Sequence, residues 1–463
     1  MINKLIKIGL FFCISIFSIV GLSGCNSIYN LGKESQIKNI EDNEEHIGEV
    51  RYLNFKPEVH SKWEEVAKVY EQETGVKVTI ETVGGGKYYD EFDKLLTSDN
   101  IPTLFHISNQ YEYYRYKDYC RNLSESVYFD NFKYKKLVIA DESGVYAVPI
   151  VLEAYGIIYN ENILTKYFQM ENSVVDEISK INNFETFKLV VEDMQSKAVE
   201  LGINGVFAST SLAEGEAWRW NTHLFNLPLY YEYNDLGIYD SDEIAFTYNQ
   251  NFKNVFDLYI NNSLTNVNYL ETKTVEDSMN EFAEGKVAMV QNGNWAITQI
   301  LDNENLNIAS SSIKFLPLYI GVPNEEKQGL VIGTENYLAV NNKVSVEDQV
   351  ATIEFLEWLI SDEKGKDLYV NSLGFIPAFF TFDDSEKPQD SLSLSIDEYL
   401  NNSALFYVTW DFKTIPSQKF KDAFSESLLQ YTLGKKTWDS VVNEVCSLWK
   451  SEKEIVKQNS KEK

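Results

Sequence analysis

The alternation of apolar and polar positions changes period in a regular way along the chain. Val50 to Phe55 is rich in β-formers, and Pro57 then opens a segment in which Val59, Trp63, Val66, Ala67 and Tyr70 fall at helical spacing until Gly75 stops it. Val76, Val78 and Ile80 alternate with Lys77, Thr79 and Glu81, the signature of a half-buried strand, which ends at Gly84-Gly85-Gly86. A helix with Tyr89, Phe92, Leu95 and Leu96 follows, and Ile101-Pro102 leads into a short apolar strand, Thr103 to Ile107. Repeated β-α-β units predict an α/β fold with a mainly parallel sheet and helices on both faces, where ligands sit beyond the strand C-termini. By that rule Phe55 and Lys56, and Asn109, Gln110 and Tyr111, are candidate ligand contacts. The triple glycine lacks both the GxxxxGK[ST] and the GxGxxG spacing and reads as a tight turn, not a phosphate cradle. Near the end, Phe420, Phe424, Leu428 and Tyr431, then Trp438, Val441, Val445 and Leu448, predict two amphipathic helices.

The first residues read differently. Lys4 and Lys7 precede an apolar stretch, Ile8 to Leu22, that is short for a permanent span and ends in Leu22-Ser23-Gly24-Cys25. That order of charge, apolar core and small-residue site resembles a bacterial lipobox, which implies a signal peptide over 1–24 and a lipid on Cys25. Residues 25–47, acidic and without strong periodicity, are expected to be a tether. Removal of 1–24 takes away Lys4 and Lys7 and no acid, leaving 39 bases against 70 acids, or −31.

With 463 residues, 44% of them hydrophobic and 14% aromatic, the chain is a packed globular one of two or three domains' length. Its formal charge of −29 repels phosphate backbones, so nucleic acid is not an expected partner. Beyond Cys13 and Cys25, Cys120 and Cys446 are expected to be free thiols, and the four histidines show no metal spacing, so neither metal nor cofactor is expected.

Several segments together resemble the extracellular solute-binding proteins of carbohydrate-uptake ABC systems (the maltose- and multiple-sugar-binding type). They are Gly75-Val76-Lys77-Val78, Ile101-Pro102-Thr103-Leu104-Phe105, Tyr146-Ala147-Val148-Pro149 followed by Tyr159-Asn160, Phe282 to Val290 with Gly293-Asn294-Trp295-Ala296, Gly333 to Val340, and Gly374 to Ala378. The resemblance covers roughly 48–450. It implies a two-lobe periplasmic-binding-protein-like fold of type II, hinged around a cleft. By position, lobe one is expected at 48–153 plus 328–373, lobe two at 154–327 plus 374–450, and 451–463 as a flexible tail.

The resemblance also implies a sugar or oligosaccharide ligand, an ABC permease as partner, a lipid-anchored monomer on the extracytoplasmic face, and no enzymatic activity. A sugar offers apolar C–H faces and rings of hydroxyls, so its site needs aromatic plates beside carboxylates and amides. Trp295, after the glycine-relieved turn Gly293-Asn294, is the first candidate plate, and Asn294 accompanies it. Of Trp218 and Trp220, which cannot both face inward at i, i+2, Trp218 is taken for the cleft. Glu153 and Tyr155 are placed at the cleft floor, Trp410 and Asp411 supply a third plate and an acceptor, and Glu335 and Asn336 sit at the rim. A peptide or polyamine ligand on the same fold, and a secreted glycosidase working through a carboxylate pair, are the alternatives.

Overall fold

The computed structural model describes residues 47–461, apart from 85, 86, 210 and 335. The strands, in chain order, are β1 (Glu49–Asn54), β2 (Lys77–Thr82), β3 (Leu104–Ile107), β4 (Ile139–Asp141), β5 (Gly144–Pro149), β6 (Glu153–Asn160) and β7 (Gly205–Phe207). Then come β8 (Val287–Gly293), β9 (Ile313–Leu316), β10 (Gln328–Gly333), β11 (Tyr337–Val340) and β12 (Phe406–Thr409). They form two sheets, ordered β2-β1-β3-β11-β5-β4 and β12-β10-β6-β8-β7, with β9 added against β6. Each sheet is the centre of one lobe.

The opening elements follow their periodicity. Helix His60–Thr74 buries Trp63, Val66, Ala67 and Tyr70, and Gly75 ends it at φ 74°, a left-handed position where its N–H bonds to the Glu71 carbonyl at 2.9 Å. β1 runs parallel to β2 and β3, and β11 is inserted antiparallel between β3 and β5, pairing Tyr337 with both Ile107 and Pro149. In the second sheet β6 is fully buried, antiparallel to β8 and β10, with Tyr155 opposite Gly293 and Glu153 opposite Gly333.

The chain passes between sheets at 150–152 and again between Gly333 and Tyr337, and the two crossings lie side by side because β5 neighbours β11 just as β6 neighbours β10. They are bonded to each other, Ile150 N–H to the Asn336 carbonyl at 3.1 Å. The chain was expected to enter the second lobe at 373/374, yet Phe375, Ala378, Phe379 and Phe382 pack in the first lobe's core and Phe379 pairs with Phe132, so the third passage falls between Phe382 and Leu392. Such parallel short connections are what a hinge requires.

Two further expectations differ from the structure. The return crossing was expected at 327/328, yet β10 belongs to the second sheet, so the chain re-enters the first sheet only after Gly333. The region from 451 was expected to be flexible, yet helix Trp438–Lys461 continues through it. Side-chain contacts along its last turns hold it there. Lys450 and Lys453 bond Glu243 and Asp240 at 2.6 Å each, Lys457 pairs with Asp242, the Trp449 indole N–H donates to the Ser241 carbonyl at 3.0 Å, and Glu452 accepts from Ser417 Oγ at 2.8 Å. Cys120 and Cys446 are free, as expected. Among the described residues no helix is long and apolar enough to cross a membrane.

Candidate functional site

The second lobe supplies an aromatic wall. Trp295 follows β8 and opens helix Ala296–Leu301, and its indole lies directly over Gly293, where a Cβ would fall 2.1 Å from the ring. Only glycine gives the indole that seat. Its ring stands 6.3 Å from Trp218, 5.4 Å from His223 and 6.2 Å from Trp410. Trp218 is half-buried and precedes a π-helical turn, Arg219–Leu224, an irregularity common at functional sites. Trp220 points the other way, into the core, edge-on to Tyr259 at 4.8 Å. The turn is fixed by Arg219, wholly buried, whose guanidinium donates to Ser278 Oγ at 2.8 Å and to the Ser209 and Gln291 carbonyls at 3.2 and 3.3 Å. Trp410 rests on Gly333, where a Cβ would lie 2.3 Å from its ring, and its Nε1 has no hydrogen-bond partner among the described residues.

Behind this wall lies a stack, with His223 parallel to Tyr155 at 4.2 Å and to Phe412 at 5.4 Å. Burial drives the His223 pKa well below its ordinary value, so the imidazole is neutral. Tyr155 therefore does not lie at the cleft floor. Its side chain is 0% exposed and its hydroxyl donates to the His223 carbonyl at 2.9 Å, because β6 is covered on both faces and carries this ring into the lobe core.

The first lobe and the crossings bring a charged group against the wall. Lys56, two residues past β1, extends its ammonium to Glu153 Oε1, with Glu58 at 3.9 Å and the Trp295 ring centre at 5.5 Å. The other Glu153 oxygen accepts from Asn336 Nδ2. Burial raises the Glu58 carboxyl pKa, and Lys56 pulls it back. Asn294 works on the backbone, its Oδ1 accepting from Ala154 N–H at 2.9 Å and its own N–H bonding the Ala154 carbonyl at 3.0 Å, which ties the Trp295 turn to the start of β6. Phe55 stacks on His106 at 3.9 Å, and burial together with Lys56 holds that imidazole near 3 and neutral.

Other candidates stand apart from this group. Asn109 caps helix Gln110–Tyr116, its Oδ1 accepting from Glu112 N–H at 3.0 Å. Glu112 is 6% exposed, its Oε2 has no hydrogen-bond partner among the described residues, and burial pushes its carboxyl up to about 7 against the pull of Arg115 and Lys421. Burial likewise raises Asp411 to about 7, with Lys413 opposing. Glu335 and Cys25 lie outside the described residues. Sequence reasoning passed over His106, Glu112, Arg219 and His223; the available signal was a titratable residue inside an apolar run, as in Leu104-Phe105-His106-Ile107. Among the described residues no cluster suited to a metal ion occurs.

Two α/β lobes joined by adjacent crossings, with an indole wall on one and a buried ion pair bridging the two, define a hinged receptor for a small solute. The family model for bacterial extracellular solute-binding proteins matches residues 65–393, and the chain belongs to that family. It is 25% identical over 332 residues to the maltooligosaccharide ABC transporter solute-binding lipoprotein of Streptococcus pneumoniae serotype 4 (strain TIGR4), covering 66% of this chain and 67% of that one, and matches the same protein of strain R6 equally. Among solved structures it resembles the apo form of RafE from Streptococcus pneumoniae (18% identity, TM-score 0.62, 89% of this chain and 100% of that one). It also resembles maltose-bound MalE3 of T. maritima (14%, TM-score 0.64, 87% and 99%). The fold is thus the two-lobe, type II periplasmic-binding-protein fold.

Proposed function

We propose that the protein is the lipid-anchored, extracytoplasmic solute-binding component of an ABC importer, which captures a sugar or oligosaccharide by closing its lobes and delivers it to the permease. The observation that carries this reading is the pair of half-buried indoles Trp295 and Trp218, backed by the buried Trp410 and set against Glu153, Lys56 and Asn336. Indole faces match the C–H faces of a pyranose, and the polar group offers acceptors and donors to its hydroxyls. The maltooligosaccharide-binding relatives support the same ligand class. In this reading the ligand stabilises the closed form by its differential affinity for it, the permease reads that closed shape, and a lipid on Cys25 holds the protein at the membrane. No covalent chemistry is involved.

The test is the melting temperature of the purified protein with millimolar maltotriose, raffinose, chitotriose, xylotriose, spermidine or a tripeptide. A ligand that binds only the folded state adds about 4 kcal/mol at a thousandfold excess over Kd. A rise with one glycan class supports the proposal, whereas a rise only with spermidine or the tripeptide overturns the sugar assignment.

A further inference from the structure

Lys56 is 9% exposed and Glu153 4%, and their contact joins the end of β1 in the first lobe to the start of β6 in the second. The ammonium also faces the rings of Trp295 and Phe55 at 5.5 and 5.8 Å. A buried carboxylate left without a cation is strongly unfavourable, and so is a buried ammonium left without a carboxylate. The chain therefore answers the Glu153 charge from within, at the place where a ligand against Trp295 would meet it.

We infer that Lys56 sets the charge class of the ligand: with Glu153 neutralised internally, the cleft accepts an uncharged glycan and rejects the matching cationic one, although the protein's formal charge of −29 attracts cations. The inference rests on the sugar reading above and adds selectivity to it. An amino sugar against Trp295 meets an ammonium already in place, and reaches Glu153 only by displacing it. A uronate has to share the Lys56 ammonium with Glu153 and Glu58, which sets three carboxylates around one cation in a buried site. Neutral hydroxyls do neither. They accept from Lys56 and donate to Glu153 while the pair stays intact, which suits rejection by repulsion as well as selection by attraction.

The test compares the neutral oligosaccharide that binds best in the panel with its 6-amino-6-deoxy and 6-carboxy analogues, by calorimetry. In the wild type the neutral sugar is expected to bind tighter than either analogue by about tenfold or more. In Lys56→Met, Glu58 and Glu153 lose their cation, and the ratio is expected to move toward the amino analogue by about tenfold or more. In the triple variant K56M/E58Q/E153Q no charge is left at the site, and the neutral preference is expected to return. Wild-type binding of the amino analogue as tight as that of the neutral sugar overturns the inference, and so does an unchanged ratio in a folded Lys56→Met. Should Lys56→Met fail to fold, the wild type and the triple variant decide, since both must prefer the neutral sugar. Failure of every neutral sugar to bind is a different result, which overturns the sugar reading itself.

Discussion

Replacing Glu112 by glutamine should change the pH dependence of stability in a calculable way. The carboxyl is 6% exposed, and burial moves it from the ordinary 4.5 to about 7. A group raised in the folded state contributes stability that is complete below its unfolded pKa and disappears as pH rises through the folded value. Between pH 5 and pH 8 the unfolded chain is already mostly ionised at this position while the folded protein gives up its proton, so the wild type loses about 2.5 kcal/mol from Glu112 alone. Glutamine keeps the shape and has no proton to lose. Asp411, also raised to about 7, is present in both proteins and cancels in the difference. Urea denaturation followed by tryptophan fluorescence at pH 5, 6, 7 and 8 should therefore show Glu112→Gln gaining on the wild type by about 2–3 kcal/mol across the range. A difference that stays flat to within about 0.5 kcal/mol would refute the assignment of a buried, protonated Glu112.

Trp295→Ala should weaken binding of the best panel sugar by about 10- to 100-fold in calorimetry, with a smaller effect on melting, since the indole is half-buried; an unchanged Kd would remove Trp295 from the site. Gly293→Ala places a Cβ 2.1 Å from that indole and should cost about 1–3 kcal/mol of stability while shifting Trp295 emission, and wild-type melting with wild-type emission would contradict the glycine seat. Cys25→Ser should move the protein from the membrane fraction to the soluble fraction on cell fractionation; retention at the membrane would count against the lipid anchor.

The local periodicities carried the opening β-α-β units because helix His60–Thr74 and strand β2 each have one face in the core and one in solvent. β10 lacks such a pattern. Its Leu330-Val331-Ile332 run is buried on both sides and shows no alternation, so nothing local tells which sheet receives it. The charged end of the chain looked unpaired because Lys453 and Lys457 find Asp240 and Asp242 more than 200 residues earlier. In the candidate site, Gly293 announced the position of Trp295, since a tight seat for an indole has to be local. Glu153 and Lys56 are 97 residues apart, and only the closing of two sheets brings them into contact. Tyr155 was misplaced for a related reason: alternation puts it on the same side of β6 as Glu153, but a strand covered on both faces sends that side into the core.

The position of β11 has a consequence for how the protein is made. It is the strand between β3 and β5, yet about 190 residues of chain, almost all in the second lobe, are synthesised after β5 before it exists. At about 5–20 residues per second that is a delay of about 10–40 seconds, during which β3 and β5 have no common neighbour and the first lobe's sheet remains in two pieces. A chain that carries a leader such as the one expected over 1–24 must be threaded across a membrane before it packs. The order of strands along the chain therefore means that the first lobe's sheet closes only after most of the second lobe has been made.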